Sequence, residues 1–377
     1  MEYQGIDSSN SYLMYNILIA LSALIFFVGY LILENPKFRR KDLKLLGLPL
    51  VFVFGYLFNI LLLGESSTDE SRWFTFFLLW SLPSYYLAFT YANAHRVEEL
   101  TKWIEVIVLL ISLSTIFVLV IPMMSDIRVT GIGGASYQTA SYISAIAFGL
   151  TLYFLLFGSR HKRFKFTQYR LYKGALYLFV LTNFIGAVLS GGRGAFVLVI
   201  VYLLFFLIQL IKQRKRNSML KLSVVLLAIM LLFQMLGSNN AFMVGYNRAI
   251  AFINPEIGID WSGSSGRDDV YLNALDLIQK KPILGYGYFS YWRVSSNPHN
   301  ILLEILLSGG IIYLSIFLLF TLSIIRKIKR MVKYDTRNRI WVVIILYPFT
   351  MLMFSGSYLV STELWFSLSI VLFYKFR

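Results

Sequence analysis

The chain is a series of apolar runs, each about as long as a membrane is thick. They fall near residues 12–33, 45–63, 73–93, 103–124, 136–158, 173–190, 194–211, 222–238, 299–325, 340–357 and 359–374. A helix needs roughly 17–25 apolar residues to cross the hydrocarbon core, and most of these runs meet that length. In lipid every backbone group must be satisfied internally, so runs of this length are read as helices. The sequence therefore predicts an all-α fold: a polytopic transmembrane helical bundle, one integral membrane domain over residues 1–377. Eleven spans are expected, or twelve, because the boundaries near Ser190 and Ser357 rest on short glycine-containing turns.

Composition agrees. Of the 377 residues, 58% are hydrophobic and 14% charged, against about 45–50% apolar in soluble domains. The first run, Tyr12 to Leu33, is too long and lacks the basic flank of a cleavable signal. With no Cys in the chain, disulfides, thiol catalysis and thiolate metal sites are excluded.

A net charge of +16 suggests nucleic acid until the charges are located. Basic residues gather at Lys37–Lys44, Arg96 and Lys102, Arg160–Lys173, Lys212–Lys221, Arg326–Arg339, and the Lys375/Arg377 tail. These loops hold 27 of the 35 Lys and Arg residues. Loops carrying the Lys/Arg excess are cytoplasmic, so the charge is a topology signal, with anionic lipids as its partners and no nucleic acid. The opposite face then carries one large extracytoplasmic loop, residues 237–298, with short helices within it. The C-terminus is expected inside and the N-terminus outside.

Chemistry concentrates on that outer face. Ser265 is a predicted helix cap, followed by Asp268 and Asp269 in the first turn. Arg267 at this start is either a surface arginine or a cation aimed at an anionic ligand, which guanidinium grips in bidentate fashion. Asn297-Pro298-His299-Asn300 reads as a second start, with Asn297 as cap, Pro298 at the first helical position and His299 in the first turn. A histidine there is either interfacial or poised to take a proton from a hydroxyl. His95 and His161, the other two, lie in cytoplasmic loops. Ser190-Gly191-Gly192-Arg193-Gly194-Ala195 breaks a long apolar stretch. Arg193 either snorkels to headgroups or serves a function near lipid depth. Glu304 and Glu363 lie just inside spans, and each is expected to need a cationic partner, with Arg193 and Arg267 as candidates. Asp269, Asn273 and Asp276 share a helix face, which reads as solvated rather than metal-binding.

These motifs together resemble the O-antigen ligase and Wzy-type polysaccharide polymerase superfamily. Ser190–Ala195 resembles its small-residue arginine motif. Ser265-Gly266-Arg267, a helix, then Pro282-Ile283-Leu284-Gly285-Tyr286-Gly287 resembles its loop signature. His299-Asn300, Leu303-Glu304 and Gly309-Gly310 resemble its His-Asn helix start. The likeness covers residues 190–320, with order and face agreeing. Two features depart from the pattern: family members commonly have about twelve spans with both ends inside, and two glycines precede Arg193 where a tighter Ser-Arg pairing is usual.

The resemblance implies a fold similar to the C-type glycosyltransferases. It implies a membrane glycosyltransferase in the bacterial cytoplasmic membrane, with its active site on the extracytoplasmic face and no metal or cofactor. The substrate would be an undecaprenyl-diphosphate-linked oligosaccharide. Arg193 and Arg267 would hold the diphosphate and His299 would deprotonate or orient the acceptor hydroxyl, with Asn300, Glu304 and Glu363 as substrate-binding residues. Repeat-unit polymerisation of O-antigen, capsule or exopolysaccharide is the expected activity, with a flippase and a chain-length regulator as partners. The alternatives are a ligase moving finished glycan to another acceptor and, from another class, a multi-pass solute transporter. A transporter predicts broken helices in both halves; the sequence offers one glycine break and one large loop.

Overall fold

Greasy runs that cannot leave a backbone group unpaired become helices almost throughout the computed structural model. It describes residues 10–63, 67–94, 96–132, 136–158, 170–251, 253–254, 258–259 and 267–376. The first helices are α1 (Asn10–Glu34), α2 (Arg40–Leu46), α3 (Leu48–Leu63), α4 (Thr68–Phe76), α5 (Leu82–Asn93), α6 (Val97–Thr115) and α7 (Ile121–Met124). Then come α8 (Tyr137–Phe157), α9 (Arg170–Leu189), α10 (Arg193–Gln213), α11 (Arg216–Leu236) and α12 (Asn240–Ile250). A two-residue antiparallel pair follows, β1 (Ile253–Asn254) and β2 (Gly258–Ile259), with Ile253 opposite Ile259. The last helices are α13 (Arg267–Lys280), α14 (Ile301–Tyr334), α15 (Arg339–Met351) and α16 (Thr362–Phe373).

Among the described residues, 7 helices are long and apolar enough to cross a membrane, or 8 if α2 and α3, bent by 47°, make one span. The chain is a multi-pass, all-α membrane protein. The expected eleven would further include the run 73–93 and the two final helices, which are 13 and 12 residues long. Of the segment 237–298, α12, α13 and a 3₁₀ turn at Ser290–Arg293 are helical.

Two spans are continuous only because they widen. Phe77–Ser81 and Ile116–Val120 wind as π turns, joining α4 to α5 and α6 to α7. Pro83 and Pro122 follow within two residues. A proline ring collides with the carbonyl four residues back and leaves it without a donor. Those carbonyls belong to Leu79 and Val118, inside the π turns, where the wider coil relieves the collision.

The chain divides into two compact units. One comprises residues 1–97, 264–341 and 352–377, the other 98–263 and 342–351. The first has an aromatic core. The Trp365 ring lies 5.3 Å from Phe52, 5.5 Å from Phe77 and 5.8 Å from Tyr85, each edge-on, the arrangement ring quadrupoles favour. Its indole N–H donates to the Tyr358 carbonyl at 3.0 Å. The second unit is built on the α8–α9 pair, and some of its buried polar groups pair with one another. The Asn183 amide donates to Ser112 Oγ at 2.8 Å, and the Tyr172 hydroxyl donates to Glu105. Buried donors unmet by such partners would be costly. His95 and His161 lie outside the described residues.

Candidate functional site

In the first unit the structure gathers chemistry around the start of α14, though not as the sequence predicts. Asn297 does not cap this helix. Pro298 restricts Asn297 to extended backbone, and its side-chain oxygen accepts the His299 N–H at 2.8 Å while its amide donates to the Gly356 carbonyl at 2.8 Å. The cap is Asn300, whose oxygen accepts the Leu302 and Leu303 N–H groups at 3.0 and 3.3 Å. The helix begins one residue later, at Ile301. His299 therefore sits in the turn before the helix, half-buried, with φ 53°. Left-handed backbone costs a non-glycine residue roughly 1–2 kcal/mol. The Asn297 bonds hold it there, and strain of this kind concentrates at working sites.

That turn is tied to the segment between α15 and α16. The Ile301 N–H donates to the Leu352 carbonyl at 2.8 Å, and the Asn300 amide reaches the Met353 carbonyl at 3.4 Å. Glu304, one turn into α14, completes the clamp. It is fully buried and accepts from the Tyr291 hydroxyl at 2.6 Å, the Tyr358 N–H at 3.0 Å and the Ser357 hydroxyl. The expected cationic partner is not there: hydroxyls and an amide provide the donors that a carboxylate at this depth needs. The Ser290–Arg293 turn carrying Tyr291 is anchored in turn. Arg293 pairs with the buried Glu70 at 2.8 Å, and Trp292 stacks on Trp73 at 4.4 Å. Nothing in the sequence near His299 signals Glu70, Tyr291 or Ser357.

Two motifs separated in sequence meet one turn further along. α14 breaks at Gly309 and Gly310, the latter at φ 59°. The break frees carbonyls and N–H groups, and the segment Pro282–Gly287 fills it. Tyr286 and Gly287 donate to the Leu307 and Ser308 carbonyls at 2.7 and 2.8 Å, and Ile311 donates to the Pro282 carbonyl at 2.9 Å. A side chain at Gly310 would run into the Ile283 carbonyl. This pairing satisfies an irregular backbone within an apolar helix.

In the second unit, Arg193 is the first residue of α10, half-buried, with Gly192 as a cap that offers no side chain. The turn before it carries Gly191 at φ 76°. Ser141 Oγ accepts the Gly192 N–H at 3.2 Å and donates to the Ala187 carbonyl at 2.6 Å. Two further arginines press on this turn. A Cβ added at Gly191 would lie 3.0 Å from Arg248 Cδ and 3.3 Å from an Arg128 Nη.

The remaining expectations resolve individually. Arg267 opens α13, but its side chain and the predicted cap Ser265 lie outside the described residues. Glu363 is in the first turn of α16, where it accepts from Ser361 and Thr362 hydroxyls at 3.1 and 3.2 Å instead of meeting a cation. Asp276 pairs with Lys280 at 2.5 Å along α13. No group of three His, Asp or Glu that could hold a metal ion occurs among the described residues.

Comparison with known families gives a match over part of the chain. The family model Wzy_C, described as O-Antigen ligase, matches residues 178–318. The matched stretch runs from α9 into α14. It contains Arg193, Arg267, His299, Glu304 and the Gly309-Gly310 break, so the likeness read from the motifs is supported over the segment that carries them. No curated protein and no solved structure matches the chain.

Proposed function

We propose, from a chain whose residues 178–318 match the O-antigen ligase family, that it is a membrane glycosyltransferase that polymerises lipid-linked repeat units. In this reading an undecaprenyl-diphosphate-linked oligosaccharide is the donor, and a second lipid-linked chain supplies the acceptor hydroxyl. The acceptor oxygen forms a bond to the anomeric carbon as the bond to the diphosphate breaks. The hydroxyl proton goes to His299, and the lipid diphosphate departs with the electron pair. The observation that carries the reading is the turn at His299. A half-buried histidine is held in strained backbone by Asn297, just before the helix turn that carries the buried Glu304, within the matched segment.

Each residue has a proposed role. His299 is the general base, worth typically 10²–10⁴-fold. Arg193 and Arg267 meet the charge that develops on the leaving diphosphate. Asn300 keeps α14 starting where it does, and Glu304, enclosed by its three donors, positions the turn rather than reaching substrate. Glu363 remains a candidate acceptor-binding group on α16. The reaction is proposed at the extracytoplasmic face of the cytoplasmic membrane, in one integral membrane protein resembling the C-type glycosyltransferases. A flippase would deliver the repeat units and a chain-length regulator would act on the product, as in O-antigen, capsule or exopolysaccharide assembly. The second reading is a ligase passing finished glycan to another acceptor, and the description of the matching family favours it. Product analysis in a deletion strain separates the two. Accumulation of single lipid-linked repeat units indicates a polymerase, and accumulation of long lipid-linked polymer indicates a ligase.

A further inference from the structure

Arg128 and Arg248 have no role in the reading above, yet the fold goes to some length to bring them together. α12 is fixed at its start: Asn239 caps it, accepting the Phe242 N–H at 2.8 Å, and its amide donates to the Met123 carbonyl at 3.0 Å. Asp126 accepts the Ala241 N–H at 2.9 Å. These bonds lock α12 to the 123–126 turn, two residues before Arg128. Gly245 then lets α12 pass directly against the end of α9, since any side chain there would strike the Leu189 carbonyl. Arg248 follows three residues on, on the same helical face, and so arrives at the Gly191 turn. Its guanidinium lies 3.8 Å above the Tyr137 ring, which fixes its plane.

The result is the Arg128 guanidinium and the Arg248 side chain against one glycine turn, and among the described residues neither arginine makes an ion pair. Arg128 Nε and one Nη are buried and have no hydrogen-bond partner among the described residues. Burial, and then the neighbouring Arg248 charge, push the Arg128 guanidinium below its ordinary range. Buried donors are normally satisfied, and like charges held together raise the free energy of the empty site. An anion with several acceptor oxygens reverses both effects. The turn adds its own attraction: Gly191 admits close approach, and α10, 21 residues long, begins at Arg193 with its first N–H groups facing out of the helix end.

The geometry points to a phosphate-binding site formed by Arg128, Arg248 and the Gly191 turn, taking a phosphate or diphosphate ester carried by a lipid. The anion site stands on this geometry alone. It rests on the transferase reading only in naming a prenyl diphosphate as its natural occupant. A membrane phosphodiester headgroup shares the same chemistry, so the test has to separate the two sources.

The test uses the full chain in nanodiscs of zwitterionic lipid, titrated with inorganic pyrophosphate and with farnesyl diphosphate. The wild-type chain is expected to bind both. Arg128→Gln and Arg248→Gln should each weaken binding at least tenfold with the unliganded melting temperature unchanged. Arg128→Lys, which keeps charge but loses the fork, should fall between. Should a Gln variant not fold, the Lys variants and competition of wild-type binding by pyrophosphate carry the test. Replacing part of the disc lipid with phosphatidylglycerol distinguishes the sources: weakened diphosphate affinity assigns the site to a headgroup, and unchanged affinity assigns it to the diphosphate. Wild-type affinity in folded Gln variants, or no binding by the wild-type chain, overturns the proposal. Because no sugar is transferred in this assay, a chain that binds diphosphate but transfers no glycan would sink the transferase reading and leave this site standing.

Discussion

At the scale of single residues, a side chain's neighbours separate work from support. His299 is half-buried and held by its own backbone, whereas Glu304 is enclosed by three donors. The two therefore respond differently to substitution. His299→Ala should lower glycan transfer by about 10²–10⁴-fold, the usual contribution of a general base, with no loss of protein from the membrane. His299→Gln should keep part of the activity if orientation of the acceptor matters more than proton transfer. Transfer at the wild-type rate by His299→Ala would remove His299 from the mechanism. Glu304→Leu leaves the Tyr291, Ser357 and Tyr358 donors unmet, at about 1–3 kcal/mol each. It should lower the melting temperature in detergent strongly, and Glu304→Gln, which keeps one acceptor oxygen, should recover part of that loss. Arg193→Lys and Arg267→Lys keep the charge and lose bidentate geometry, so activity should fall at matched protein level. If both Lys variants transfer glycan normally, bidentate recognition of the diphosphate is not needed.

At the scale of elements, the functional residues depend on backbone breaks that only certain sequences permit. Gly310→Ala should destabilise the chain by roughly 2 kcal/mol or more, from left-handed backbone and the clash with the Ile283 carbonyl. Thermal unfolding reads this directly, and an unchanged melting temperature would mean that the Pro282–Gly287 segment is not seated in the break. Much of this architecture was legible beforehand. Each predicted apolar run carries helix, and the Ser190–Ala195 break falls where the sequence predicts one, whereas the Gly309–Gly310 break lies inside a run read as one continuous span. What was not legible depends on partners distant in the chain. Glu304 looks like a charge in need of an arginine until Ser357, 53 residues away, arrives with Tyr358 to donate instead. Asn297 and Asn300 are equally good caps by residue type. The choice falls to Asn300 because Gly356 and the His299 N–H engage Asn297. Arg128 and Arg248 are two isolated arginines until the tight passage of α12 at Gly245 brings them to one turn.

At the scale of the whole molecule, the account depends on which side of the membrane the His299 turn faces. The skew of basic residues toward one set of loops predicts that this turn is extracytoplasmic and that the α10–α11 connection is cytoplasmic. Ser296 and Asn217 are both exposed, so cysteines placed there are accessible to reagent. In intact cells a membrane-impermeant maleimide should label Ser296→Cys and not Asn217→Cys; labelling of both, or of Asn217→Cys alone, would contradict the orientation. The most direct test of the central claim is reconstitution. The purified chain in proteoliposomes is supplied with an undecaprenyl-diphosphate-linked oligosaccharide, and lipid-linked products are followed by mass. The account predicts lengthened chains with release of one undecaprenyl diphosphate per transfer, and none of either with His299→Ala. A wild-type chain that leaves the donor unchanged while an acceptor is present, or a His299→Ala variant that lengthens it at the wild-type rate, would contradict it.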